Sequence, residues 1–368
     1  MTSHVRGTVA RQAHVAVPEG TFEEEIARDG FFGRASHLYR RHAPVGWTRI
    51  EGALRPRAYQ ASELGLPGGD WVAAREAFLE GEGVRLSFAR LTSVMPYAFR
   101  NADADEVLFV HQGRGRFESD FGAMSYETGH YLVVPRGVTY RLDPADHTSV
   151  LVVETAAEVK IPDRGLLGRH ALFDPELCEV PDVAAMPPPR AGHEHELRVQ
   201  RGGAIGHVFY PFDPLDTAGW KGDLAPFRLH VKDIRPVTSE RYHLPPTAHA
   251  TFVAGGVVIC TFLPRPLETG DPLALRVPFY HSNVDYDEVL FYHRGNFFSR
   301  AGVGAGMVTF HPAGIHHGPQ PGAVKAAATK ERTDEVAVMI DSRAPLSPVS
   351  AAARVEREDY WKSWQEKG

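Results

Sequence analysis

From about residue 83 onward the apolar positions follow a strand pattern. Arg85, Leu86, Ser87, Phe88, Ala89, Arg90 and Leu91 alternate with period two, as a half-buried strand does. Residues 107–110, 131–134 and 151–153 are short continuous apolar runs, each bounded by turn signals, and the pattern resumes at 227–231 and 256–263. Many short strands at close spacing predict an all-β sandwich or barrel. Residues 1–50 read differently, as an arm. Phe22–Ala27 predicts a short helix ended near Gly30, followed by aromatic anchors at Phe31, Phe32 and Tyr39. Residues 160–195 are rich in Pro and Gly and read as a linker, with His193, Glu194 and His195 on an exposed polar loop. The charged C-terminal stretch carries Tyr360, Trp361 and Trp364 and predicts a short helix docked on the body.

Two stretches of the chain match each other. Asn101 precedes an Asp-Glu-Val-Leu-Phe run, Asp105 to Phe109, and Asn283 precedes the same run at Asp287 to Phe291. A Gly lies seven residues after each Glu, at Gly113 and Gly295. A Pro-x-Gly turn then follows a hydrophobic strand in both, at Pro135 to Gly137 and Pro312 to Gly314. This is a duplicated β-unit. With 368 residues the chain exceeds one typical domain, and a duplication accounts for the excess. Its 35 Gly and 28 Pro suit short strands joined by tight turns.

The repeat resembles the two-part signature of the cupins, in which His and Glu residues from several strands line a small jelly-roll barrel and hold a metal. On that resemblance the second copy presents His281, Glu288 and His317 as ligands. Two neutral imidazoles and one carboxylate leave coordination positions open, which suits non-haem Fe(II). In the first copy the same positions read Phe99, Glu106 and Tyr140, so that barrel is expected to bind no metal and to serve packing and assembly. His316 should point to the opposite wall from His317, and His293 should lie on the opposite strand face from Glu288, at the surface or in packing. The expected organisation is an N-terminal arm and sheet extension (1–84), a cupin barrel without metal ligands (85–160), a linker (161–200), a catalytic cupin barrel (201–345) and a C-terminal tail (346–368).

Denser matches narrow the resemblance. The block from Gly219 to Pro226, the block from Pro278 to Asn283 and the run from His311 to Pro319 together resemble the homogentisate 1,2-dioxygenase family. That resemblance implies ferrous iron on His281, Glu288 and His317, with O2 and a hydroquinone as substrates. It implies cleavage of homogentisate to maleylacetoacetate. His243 corresponds to the family's acid/base, with His249 close by as an alternative. His311 corresponds to a His near the substrate, and Tyr280, Tyr286 and Tyr292, nearby in sequence, offer phenols to hold it. Longer family members space the first His and the carboxylate one residue closer, which leaves Asp287 as an alternative to Glu288. Phe297 stands where some members carry a substrate-contacting Tyr, so a related substituted hydroquinone (gentisate-like or a specialised-metabolism intermediate) stays open as substrate. A non-oxidative metal-binding bicupin is the other reading. The family forms trimer-based assemblies, so a homo-oligomer, trimer-based or dimeric, is expected.

Bulk properties exclude other classes. A net charge of -6 offers nothing to nucleic acid. No run of about 18 apolar residues occurs, so no membrane span is expected. Cys178 and Cys260 build neither a disulfide framework nor a CxxC site. A cytoplasmic protein in a reducing interior is the expectation.

Overall fold

The continuous apolar runs are strands because both of their faces are buried. In the strand Asp105–Gln112, Val107 and Phe109 pack with Phe88, Tyr131, Phe252 and Phe291, while Leu108 and Val110 pack on the other face with Phe99, Phe117 and Leu132. Each fully buried side chain of this size contributes about 1.5–3 kcal/mol relative to exposure. The computed structural model describes residues 4–276, 279–297, 300, 302–323 and 329–365. Pro278 of the matched block and the last three residues of the tail lie outside them.

The fold is all-β, built from two barrels. A seven-stranded sheet runs Phe227–His230, His130–Val134, Asp105–Gln112, Thr148–Thr155, Val84–Leu91, Glu76–Gly81 and Ser347–Pro348. A six-stranded sheet runs Ala204–Tyr210, His195–Arg201, Ala98–Asn101, Thr139–Pro144, Arg114–Ser119 and Gly122–Glu127. These two enclose the first core. The second barrel is built on a six-stranded sheet of Ala250–Ala254, Val257–Phe262, Asp334–Ser342, Asp287–Asn296, Val308–His311 and Arg57–Tyr59, with Tyr280–Asn283 in a separate three-stranded sheet. The two barrels share one apolar cluster, in which Phe88 and Phe109 meet Phe291. Among the described residues no helix is long and apolar enough to cross a membrane.

Two expectations change. First, Phe22–Ala27 is a strand, pairing in parallel with Tyr280–Asn283 and antiparallel with Ala35–Arg40. Partner strands on both edges override the helix propensity of its three Glu residues. Second, residues 195–230 pair with the first barrel. His195–Arg201 runs parallel to Ala98–Asn101, and Phe227–His230 runs antiparallel to His130–Val134. The end of the stretch expected as a linker, and the start of the stretch expected in the second barrel, thus extend the first barrel's two sheets, while His193 and Glu194 stay exposed outside the strand. The arm in turn supplies Arg57–Tyr59 to the edge of the second barrel's sheet. The tail docks on the body as expected, as two short 3-10 helices, Ser350–Arg354 and Tyr360–Trp364, with Trp364 fully buried.

Inside the first barrel a guanidinium sits among the positions that correspond to the ligand set. Arg75 Nη2 lies 2.6 Å from Glu106 Oε1 and 3.2 Å from Glu154 Oε1. Tyr140 donates its hydroxyl to Glu106 Oε2 at 2.7 Å, and the Arg75 guanidinium stacks 5.3 Å from the Phe99 ring. A buried carboxylate needs a compensating charge, and here Arg75 supplies it.

Candidate metal centre

Local sheet geometry brings three distant residues together. Asp287–Asn296 pairs antiparallel with Val308–His311, so that Glu288 stands opposite His311. A bridge between His281 and His317 closes the third side, with each backbone N–H donating to the other's carbonyl at 2.9 and 3.1 Å. His281 Nε2 and His317 Nε2 both lie 3.5 Å from Glu288 Oε2. One ligand atom from each of the three residues falls within 4.8 Å of the others, and all three side chains are buried.

The tautomers follow from the neighbours. His281 Nδ1–H donates to the Phe279 carbonyl at 2.8 Å, and His317 Nδ1–H donates to the Ile315 carbonyl at 3.1 Å. Each ring therefore turns an unprotonated Nε2 inward, and neither Nε2 has a hydrogen-bond partner. Two buried, unpartnered lone pairs facing one carboxylate are a poor arrangement by themselves and a good one for a divalent ion. Burial would raise the Glu288 carboxyl, yet His317, His281 and His311 around it hold it well below the usual carboxylate range. Burial, with His317 beside it, pushes the His281 imidazole down, which favours the neutral ligand form.

Asp287 faces elsewhere. Its Oδ1 accepts from the Ala313 N–H and its Oδ2 from the Leu346 N–H, both at 2.7 Å. Glu288 is the carboxylate that meets the two imidazoles.

The other expected site residues divide into two groups. His243 borders the cavity beside the triad, together with His249, Arg265, Arg300, His281 and Glu288. Its Nδ1–H donates to Glu268 Oε1 at 2.8 Å, which leaves a lone pair on Nε2. Burial lowers the His243 pKa, and the Glu268 charge opposes that shift. His249 is pushed well below the ordinary histidine value by burial, and its Nδ1 has no hydrogen-bond partner. The two histidines thus differ in one respect: only His243 has a carboxylate to orient it.

His311, Tyr280 and Phe297 are placed differently from expectation. His311 Nδ1 lies 2.8 Å from Glu288 Oε1, and its Nε2 lies 3.2 Å from the Tyr360 hydroxyl. Both ring nitrogens are engaged, so His311 braces Glu288 rather than opening onto the cavity. Tyr280 and Phe297 pack in an apolar cluster with Tyr292, Tyr360 and Trp364. Strand alternation explains Tyr280, since its neighbour His281 takes the inward direction. His316 pairs with Glu24 at 2.8 Å, away from His317, as alternation predicts.

Several residues at the site carried no sequence signal. Arg265 lies along the cavity with its Nη1 3.7 Å from Glu335 Oε1, and burial lowers its pKa. Arg300 donates from Nη1 to the Gly318 carbonyl at 2.7 Å, next to His317. Glu268 and Tyr360 hold His243 and His311. Their partners lie 25 and 49 residues away in the chain, beyond the reach of any local motif.

Comparison with known proteins adds a lineage. Residues 72–231 match the family described as homogentisate 1,2-dioxygenase N-terminal. A presumed dioxygenase of Saccharolobus solfataricus is 30% identical over 383 aligned positions, covering 98% of each chain. The homogentisate 1,2-dioxygenase of Rhodopseudomonas palustris is 25% identical over 301 positions, covering 74% of this chain and 64% of that enzyme's length. Among solved structures, a cupin 2 conserved barrel domain protein from Leptotrichia buccalis aligns over 73% of this chain and 88% of its own, with 10% identity and a TM-score of 0.30.

Proposed function

The chain belongs to the homogentisate 1,2-dioxygenase family, and from that premise we propose that it is a ring-cleaving dioxygenase converting homogentisate and O2 to maleylacetoacetate. The observation that carries this reading is the pair of buried, unpartnered Nε2 atoms of His281 and His317 facing Glu288. Ferrous iron held by these three residues supplies open coordination positions and the electron chemistry that lets O2 react with a closed-shell ring.

The protein's own groups do the rest. His243, neutral at pH 7 and fixed by Glu268, takes the proton of a ring hydroxyl at Nε2. Glu268 stabilises the imidazolium that results. Arg265, the guanidinium along the cavity wall, meets the carboxylate of the acetate arm. Phe262, Leu290 and Met339 line the same cavity and keep water from the ring. His311 and Tyr360 hold Glu288 in the position its ligand role needs. Both atoms of O2 enter the product, so no further oxidant or reductant is required.

Phe297 supports a second reading, cleavage of a related substituted hydroquinone. It lacks a phenol and sits in the apolar cluster behind the ligand strand, so the donor some relatives supply there is missing. An 18O2 experiment with homogentisate tests the first reading. Two labelled atoms in the ring-opened product are expected. Unchanged homogentisate alongside turnover of another hydroquinone moves the assignment to the second.

A further inference from the structure

The N-terminal arm carries a second set of imidazoles and carboxylates that the proposed reaction does not use. The strand Phe22–Ala27 puts Glu23 and Glu25 on one face by alternation. Its antiparallel neighbour sets His37 directly opposite Glu25, and the chain before the strand lays His14 against the same face. His14 Nε2 lies 3.3 Å from Glu25 Oε2, His14 Nδ1 lies 3.2 Å from Glu23 Oε2, and His37 Nδ1 lies 3.2 Å from Glu23 Oε1. One ligand atom from each of His14, Glu25 and His37 falls within 4.8 Å of the others.

Most of this cluster is buried. The side chains of His14, Glu23 and Glu25 are 6%, 0% and 9% exposed, and His37 at its edge is 27% exposed. Despite the short approaches, His14 Nδ1 and His37 Nδ1 make no hydrogen bond of acceptable geometry. The cluster also touches the catalytic region. His14 stacks on Phe279 at 4.1 Å, and Phe279 meets the His281 ring edge-on at 5.5 Å. Glu25 is the sheet partner of His281 in the parallel register.

We propose that His14, His37 and Glu25 form a second metal site that takes a divalent first-row transition ion, while Glu23, whose two oxygens accept from the His14 backbone N–H and the Tyr39 hydroxyl, holds the cluster in place. Two imidazoles and one carboxylate are a nitrogen–oxygen donor set suited to zinc, cobalt, iron or manganese. The ion ties three separate segments of the arm together on the strand that pairs with His281. Without metal the same groups form an ion pair. Burial opposes protonation of His14, but Glu23 and Glu25 outweigh it and raise its pKa to about 9. A metal must displace that proton, so binding releases acid and tightens as pH rises.

Cobalt(II) provides the test, through its visible d–d absorption and through metal content. In the full chain carrying His281→Ala and Glu288→Gln, stripped of metal, one equivalent of cobalt is expected to bind, with release of a proton. Adding His14→Gln and His37→Gln should abolish that binding or weaken it by roughly tenfold or more. Absence of cobalt binding, or binding undiminished by the arm substitutions, overturns the site. Elemental analysis of the wild-type chain after equilibration with cobalt gives a check that needs no disabled catalytic site. Two ions per chain falling to one in the His14→Gln/His37→Gln variant supports the proposal. One ion in both contradicts it.

Discussion

His111 and His293 hold the same place in the two repeats, five residues after Glu106 and Glu288, and their Nδ1 atoms lie 2.9 Å apart. An odd offset on a strand reverses the face, so each Glu points into its own barrel and each His points out of it. The two outward faces pack together, with Phe291 edge-on to His111 at 5.1 Å and Phe109 edge-on to His293 at 5.0 Å. The internal duplication is thus visible as a contact between equivalent residues at the junction of the barrels.

That contact makes the junction sensitive to acid. One Nδ1 must carry a proton and the other must accept it, so both rings are neutral. Burial pushes His111 down to about 4 and His293, with His111 beside it, down to about 3. Above the unfolded value of 6.5 neither state takes up a proton and the stability is fully present. Below it the unfolded chain binds protons that the folded chain refuses. Stability then falls by up to ~1.4 kcal/mol per pH unit for each ring until the folded values are reached. Urea midpoints measured from pH 7 to pH 4 should therefore drop, and the drop should shrink in a His111→Phe/His293→Phe variant.

Arg75 should be indispensable to the first barrel. Arg75→Ala leaves Glu106 and Glu154 buried together without a cation, and the loss of a partner from such a group costs about 3–5 kcal/mol. Replacing the carboxylates as well, by Glu106→Gln and Glu154→Gln, should recover much of that loss. Denaturant unfolding of the single and triple variants gives the comparison.

His311 would act on a metal bound in the proposed site through Glu288. Substitution by Phe keeps the ring volume but removes the hydrogen bond to Glu288 Oε1 and the contact with Tyr360. Metal affinity should fall by about 10–100-fold, read by competition with a chelator, while the folded structure persists.

His243 and Glu268 separate by their pH profiles. His243→Gln should lower kcat by about 10²–10⁴-fold with iron content unchanged. Glu268→Gln removes the charge that raises the His243 pKa, so the acid limb of kcat/KM should move to lower pH. A profile that stays in place would assign the proton to another group, and His249 is the nearest candidate on the cavity wall.

Much of the molecule is legible in the sequence because period and repeat are local properties. The strands at 107–110 and 131–134 announce themselves by apolar runs, and the duplicated Asp-Glu-Val-Leu-Phe run marks corresponding strands in both barrels. The choice between Asp287 and Glu288 was not legible, because both carboxylates recur in the first copy, as Asp105 and Glu106. Asp105 accepts backbone N–H groups from Arg136 and Val159, just as Asp287 does from Ala313 and Leu346. What escaped depends on distant partners. Phe22–Ala27 becomes a strand because residues 280–283 and 35–40 flank it on both edges. The strand His195–Arg201 hides in a polar stretch because only Leu197 along it is fully buried. Arg75 as the internal cation of the first barrel, and Tyr360 behind His311, depend on tertiary contacts that no spacing rule contains.

Oxygen consumption by iron-loaded protein addresses the catalytic centre most directly. Metal-free chain is reconstituted anaerobically with one equivalent of Fe(II), given homogentisate and then exposed to O2. Uptake of one O2 per ring opened is predicted for the wild type, with iron binding and uptake both lost in His281→Ala. No uptake with homogentisate or any other hydroquinone, or full iron content and uptake in His281→Ala, would contradict the account.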